Sequence, residues 1–319
     1  MTYNDIRRFF NNGELLPSAR YYNFSGSGVG VAVSGGGGGG ISFSNSFWTM
    51  NSAGRASGTF SITSSASGFP VGVPSSSFSI SFWMVGSGTT PNTWGSAGAT
   101  RFLLGVRDAA APVGSRQNSF WFQSRPGNGQ SLEWGITDDP DAITICGRMP
   151  SPEVYTWNHY LLVYDGSGSA NNDRLKIFLN GLPSSSITSF VGTVPQVLLT
   201  SSQRFCIGAE RQGGSLGQSL VINNIGVYNT ALTSSHASAM FGGGSPVDLR
   251  TITGSDRLVH YWSDFPVSSS TTTLPDLITN FAGITPMDIN GSTNAPNYFT
   301  SSGTPVQGAT NGSAHDPWA

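Results

Sequence analysis

Charge is what this sequence has least of. Of 319 residues only 15 are Lys or Arg and 17 are Asp or Glu, 10% in all, with a formal net charge of -2. A soluble domain ordinarily carries roughly 25% of these four residues. The chain therefore cannot build helices laced with ion pairs, nor the clustered basic face that nucleic-acid binding requires. Lys176 is its sole lysine. Long apolar runs are missing too: no stretch approaches about 18 consecutive apolar residues, so no membrane-spanning helix is expected. The opening segment, MTYNDIRRFFNNG, has neither an apolar centre nor a small-residue cleavage site, and no secretory signal peptide is expected. There are 2 cysteines, Cys146 and Cys206, at a separation that matches no zinc spacing. They read as two buried reduced thiols on core strands, with a disulfide as the alternative.

What is present is glycine, serine and aromatics. The 42 glycines alone would suggest a chain too polar and too mobile to fold. The 8 Trp, 9 Tyr and 19 Phe, interspersed along the sequence, supply instead the large stiff side chains of a β core. Composition separates three regions: an irregular N-terminal arm at 1–56, containing the glycine run Gly35 to Gly40; a strand-rich body at 57–244; and a C-terminal extension at 245–319. The glycine run reads as a tether, because neither a lysine nor an acidic partner stands where a phosphate-binding loop needs one.

Within the body, Phe78 to Val85 alternates and then becomes continuously apolar, the pattern of a strand buried on both faces. Further strands are expected at Arg101 to Val106, Ser119 to Gln123, Ser131 to Ile136, Tyr155 to Tyr164, Arg174 to Leu179, Arg204 to Gly208 and Ser219 to Tyr228. Asn128-Gly129 and Asn180-Gly181 supply the positive φ angles of two-residue hairpins. One short helix is expected over Ser234 to Phe241, capped by Thr233 and ended by Gly242. In the extension, Leu258 to Trp262 is strand-like, and the Ser/Thr-rich and Pro-rich sequence after it reads as a strap.

Four segments, taken in order, resemble the laminin G-like branch of the concanavalin A-like lectin/glucanase superfamily. They are Gly58 to Met84 (GTFSITSSASGFPVGVPSSSFSISFWM), Thr156 to Gly168 (TWNHYLLVYDGSG), Asp173 to Gly181 (DRLKIFLNG), and the closing strands and helix within Arg204 to Pro246. The resemblance implies an all-β fold, a two-sheet antiparallel jelly-roll sandwich. It places Phe82, Trp83, Leu161, Val163, Phe178, Ile207 and Ile225 in the core and has Trp157 and His159 close one end. His159 reads first as a structural histidine. The segment Gly242 to Ser292, with GGGSPVDLR, LVHYW and MDIN, resembles an extension that follows such domains in structural proteins of tailed phages and marine viruses. It departs from that pattern at Ser263-Asp264-Phe265, where Arg-Met-Gly-Asp is common.

Glucanase members of that superfamily need paired carboxylates about 5–5.5 Å apart for a retaining mechanism. The four glutamates here, Glu14, Glu133, Glu153 and Glu210, are isolated in sequence, so no enzyme is expected and a glycoside hydrolase is the remote alternative. Calcium is conceivable at two oxygen-rich loops, one with Asp138, Asp139 and Asp141 and one with Asn171, Asn172 and Asp173, although both also suit plain turns. Sugar stacking would fall to Trp94, Trp134 or Trp121, with Asn128 making polar contacts. The resulting expectation is a non-enzymatic virion protein, a head-decoration, fibre or tail-associated component assembled in the host cytoplasm. It would be homo-oligomeric, contact other virion proteins, and carry a lectin-like domain for host glycans. A lectin outside any virion is the alternative.

Overall fold

The computed structural model describes residues 10–11, 14–15, 48–50, 61–64, 74–86, 101–106, 119–125, 131–137, 144–150, 157–184, 192–198, 205–207, 220–263, 273–274, 276–278 and 287–290. In chain order the early strands are β1 (Phe10–Asn11), β2 (Glu14–Leu15), β3 (Trp48–Met50), β4 (Ser61–Ser64), β5 (Ser77–Gly86), β6 (Arg101–Val106), β7 (Ser119–Arg125), β8 (Ser131–Thr137) and β9 (Thr144–Pro150). Then come β10 (Asn158–Asp165), the short helix α1 (Asn171–Arg174), β11 (Leu175–Leu179), β12 (Leu182–Pro183), β13 (Cys206–Ile207), β14 (Leu220–Tyr228) and the helix α2 (Ser234–Phe241). A 3-10 turn (Ser255–Arg257) leads into β15 (Leu258–Trp262), β16 (Thr273–Leu274) and β17 (Met287–Asn290).

All pairings among these strands are antiparallel. The first large sheet runs β12-β11-β10-β5-β14-β15, with β3 also on β14; the second runs β16-β17-β4-β13-β6-β7-β8-β9. This is the expected two-sheet sandwich. The ladders cross the compositional boundaries, since β3 joins β14 and the extension contributes β15 to one sheet and β17 to the other. Asn180-Gly181 forms the expected two-residue turn, with φ of 52° and 79°, between Leu179 and its partner Leu182. The Asn128-Gly129 turn lies outside the described residues.

Period-2 alternation divides the apolar residues between two cores. Phe78, Ile80, Phe82, Tyr160, Leu162 and Tyr164 of the first sheet face Phe120, Phe122, Leu132, Trp134 and Ile136 of the second. Ring centroids of Phe78 and Phe120 are 5.0 Å apart, and those of Phe82 and Phe122 5.8 Å. On the outward face of the first sheet, Leu161, Val163, Phe178 and Tyr228 form a second core with Leu232, Ala237, Met240, Leu249, Leu258 and Tyr261. The seven residues expected in one core are therefore split. Phe82, Ile207 and Ile225 lie between the sheets, whereas Leu161, Val163 and Phe178 lie beneath the C-terminal layer. Trp83, next to Phe82 on one strand, cannot share its face; it is buried against Phe241 of α2.

Two polar devices fix that layer. Asn224 takes φ 56° at a bulge in β14; its Nδ2 donates to Val247 O at 2.9 Å and its Oδ1 accepts from the Tyr261 hydroxyl. Asp276 meets His260 Nδ1 at 2.6 Å and accepts from the backbone N–H groups of Tyr261 and Ile278, binding the strap to β15. Gly226 leaves the room Leu249 fills: a Cβ there would stand 2.5 Å from Leu249 Cδ1.

The cysteine alternative is settled by register. Cys206 pairs with Gly105, Gly105 with Trp121, Trp121 with Gly135 and Gly135 with Cys146. Four inter-strand steps separate the cysteines by roughly 19 Å, far beyond the about 4.4–6.8 Å a disulfide spans. Cys206 is a buried thiol.

Candidate functional site

The outward face of the second sheet differs in kind. Its inward positions belong to the core, so Trp121, Gln123, Ser131, Glu133 and Arg148 point the other way. Register places Gln123 opposite Glu133 and Glu133 opposite Arg148 on three adjacent strands. Gln123 Nε2 donates to Glu133 Oε2 at 2.7 Å, and Arg148 Nε donates to Glu133 Oε1 at 2.6 Å. The Glu133 side chain is fully buried, while Arg148, 24% exposed, forms the open end of the row. A carboxylate held at both oxygens by a guanidinium and an amide is fixed in place and charge-compensated.

Beside this row some hydrogen-bonding capacity is unspent. Gln123 Oε1 and Ser131 Oγ on the outward face, and Ser124 Oγ and Tyr160 OH on the inward one, have no partner among the described residues. The packing of Phe82 on Phe122 and of Phe78 on Phe120 puts all four near the same end of the sandwich, where β5 stops and β10 starts. Buried polar groups are normally satisfied. These four are buried, so the part of the row that meets solvent is the partly exposed Arg148.

The sequence-derived candidates fare unevenly. Trp134 is a correction: it is 0% exposed, packs against Phe78 and Phe120, and donates its indole N–H to Val163 O at 3.2 Å. An indole enclosed between two sheets cannot stack on a sugar. Trp121 faces outward but is buried as well. Trp94, Asn128, Asp138, Asp139 and Asp141 lie outside the described residues. The second calcium candidate is a turn: Asp173 Oδ2 accepts from Ser169 Oγ and the Ala170 N–H, and Asn171 spends its amide on Gly192 O and the Val194 N–H. Among the described residues no three His, Cys, Asp or Glu side chains converge on one point, and no helix is long and apolar enough to cross a membrane.

His159 is fully buried, with Nε2 2.9 Å from Ser81 Oγ. Burial pushes its pKa down to about 3, which keeps the ring neutral at ordinary pH and accords with a structural histidine. The Gln123–Glu133–Arg148 row was not anticipated. The expected two-residue turn at Asn128-Gly129 would have paired Gln123 with Trp134; the observed register, centred on Asn128, differs by one residue and brings Gln123 to Glu133.

Two antiparallel sheets, one outward face apolar and layered over, the other carrying a polar row, define a lectin-like sandwich. The chain belongs to the concanavalin A-like lectin/glucanases superfamily, whose laminin G family model matches residues 73–238, just over half its length. No curated protein matches the sequence. Among solved structures, a proposed carbohydrate-binding protein from Bacteroides ovatus is similar at 16% identity and a TM-score of 0.50, over 85% of this chain and 63% of that one. A native heptameric SAP-like pentraxin from Limulus polyphemus aligns at 15% identity and a TM-score of 0.41, over 62% of this chain and 82% of that one. The receptor-binding domain of botulinum neurotoxin D aligns at 16% identity and a TM-score of 0.38, over 58% of this chain and 44% of that one. At such identities the similarity is one of fold. The chain spans less than two thirds of the Bacteroides protein's length.

Proposed function

We propose that the chain is a non-catalytic glycan-binding component of a virus particle, a head-decoration, fibre or tail-associated protein that displays its sandwich outward as a homo-oligomer. The observation that carries the binding role is the lectin-like sandwich, whose family model matches residues 73–238, together with the Gln123–Glu133–Arg148 row on the outward face of its second sheet, Arg148 being the row's partly exposed end. A glycosidase would need a second carboxylate facing Glu133 across a gap of about 5–9.5 Å; the residues opposite Glu133 on the two adjacent strands are an amide and a guanidinium. A sugar hydroxyl can accept from the guanidinium N–H groups at that partly exposed end.

The particle role draws on the extension at Gly242 to Ser292 and its resemblance to viral structural proteins. In the fold that extension seals one sheet and ties itself down through Asn224 and Asp276, an arrangement suited to a module that must survive outside the cell. Assembly in the host cytoplasm follows from the particle role.

The folded chain applied to a glycan array, alongside Gln123→Leu and Arg148→Ala, tests the binding role. We expect bound glycans whose signal falls at least tenfold in both variants, with no reducing sugar released. A blank array, or release of sugar, overturns it. Mass spectrometry of purified particles tests the particle role, which fails if the chain is missing from them.

A further inference from the structure

A second concentration of unspent polarity lies under helix α2, away from the polar row. Trp83 and His159 stand directly opposite each other on β5 and β10, both 0% exposed, with ring centroids 5.5 Å apart. His159 Nδ1 and Trp83 Nε1 have no hydrogen-bond partner among the described residues. Two open ring nitrogens side by side in an apolar setting carry a desolvation cost that any local opening relieves. Their cover is Phe241, the last residue of α2, whose ring stacks on Trp83 at 5.8 Å and lies 6.4 Å from His159. The helix buries only Ala237 and Met240. Immediately after Phe241 come Gly242, Gly243 and Gly244, with φ of 58°, 69° and 107°, three residues that can exchange these conformations for others at low steric cost once the cap hydrogen bonds open.

We propose that α2 is an acid-released lid: protonation of His159 lifts Phe241 and the last turn of the helix off the Trp83–His159 pair while the two sheets stay folded. Among the described residues, the groups shown in contact with the imidazole are uncharged: Ser81 and Trp83 from β5 and Phe241 from α2. Asn180 meets only the His159 backbone, and His236, the titratable group of α2 itself, is turned to Thr233 and Gly254. Lys176, on β11, stands opposite Val163, further along β10. No carboxylate among the described residues is placed to compensate an imidazolium, and burial alone accounts for the ring's pKa of about 3.

The direction of the pH effect comes from linkage. The closed form excludes the proton; the opened form, with the ring in water, takes it up near the ordinary pKa of about 6.5. Opening is therefore indifferent to pH above about 6.5 and grows steadily as pH falls from there toward 3. At pH 5 the opening equilibrium should exceed its value at pH 7.5 about 30-fold. Opening of one short helix costs less than global unfolding, so it dominates exchange at that site.

Hydrogen exchange on the full chain, corrected for intrinsic rates, reads this directly. We expect amides of residues 238–244 to lose about 30-fold protection between pH 7.5 and pH 5, while those of β5 and β10 keep theirs. In His159→Gln, which retains a polar group toward Ser81 but cannot be protonated, the loss should vanish. Equal loss in that variant overturns the proposal, as does loss in α2 that only tracks loss in β5 and β10. If His159→Gln does not fold, the wild-type profile decides alone: protection at residues 238–244 that is flat from pH 7.5 to 5 sinks the lid.

Discussion

The two sheets of this sandwich cover their outward faces in opposite ways. The outward face of the first sheet is apolar, with Leu161, Val163 and Phe178, and the chain supplies its own cover: α2, the segment around Leu249, and β15. The second sheet instead carries Gln123, Glu133 and Arg148, joined to one another across three strands. With only 10% charged residues, the protein places Glu133 and Arg148 on the sheet surface of the second face, while on the first the sheet surface is hydrophobic and the ionic contacts belong to the layer above it. The C-terminal extension is thus structurally part of the sandwich. Without it the strands of the first sheet would present a face built for burial, the kind of exposed apolar patch that drives association.

The largest effect should come from the joint that holds this cover in place. Asp276→Ala removes the acceptor of His260 Nδ1 and of the Tyr261 and Ile278 N–H groups, leaving buried donors without partners. A loss of about 3–5 kcal/mol is expected in denaturant unfolding, and a change below about 1 kcal/mol would mean the strap is not held through this carboxylate. Next is Leu249→Ala, which empties part of the second core beneath Gly226. It should cost about 2–4 kcal/mol and raise binding of a hydrophobic dye, because the cover loosens while the sandwich between the sheets stays intact.

On the second face the expected cost is smaller. Glu133→Gln keeps the shape and one hydrogen-bond acceptor but discharges the pair with Arg148. Arg148, partly exposed, can turn to water, so about 1–2 kcal/mol is expected. The same variant should weaken any glycan binding that runs through the row. Unchanged melting together with unchanged binding would remove the row from both roles.

How much of this could be read beforehand depends on periodicity. Strand β5 was legible because SFSISFWMV passes from alternation to continuous apolarity, the mark of a strand covered on both faces. Helix α2 was legible to its end residues, since Thr233 and Gly242 punctuate it; Gly242 takes the left-handed conformation expected of a helix stop. Strand β9 was not foreseen. Its sequence, TICGRMP, breaks alternation with Gly and Arg and ends in Pro, residues tolerated because the strand lies at the edge of its sheet. The single-core expectation failed on geometry, since Phe82 and Trp83 are neighbours on one strand. The polar row was hidden because its members are far apart in sequence and meet only through strand register. Local composition does not show that register.

The smallest effect tests whether the contrast concerns coverage rather than residue type. Leu182 belongs to the first sheet, as do Leu161 and Val163, but it sits on the edge strand β12 and is 70% exposed. If apolar side chains of this sheet matter only where the C-terminal layer covers them, Leu182→Ser should change stability by no more than about 0.5 kcal/mol. The neighbouring Asn180-Gly181 turn fixes the hairpin independently, with Asn180 Oδ1 accepting from the His159 N–H at 2.9 Å and Asn180 N–H donating to His159 O at 2.9 Å. Unfolding monitored by near-ultraviolet dichroism should therefore superimpose on that of the parent chain. A loss of about 2 kcal/mol would show that Leu182 is buried in solution. The covered face would then extend past β11 to the edge of the sheet, and the contrast between the two faces would have to be redrawn around a larger apolar surface.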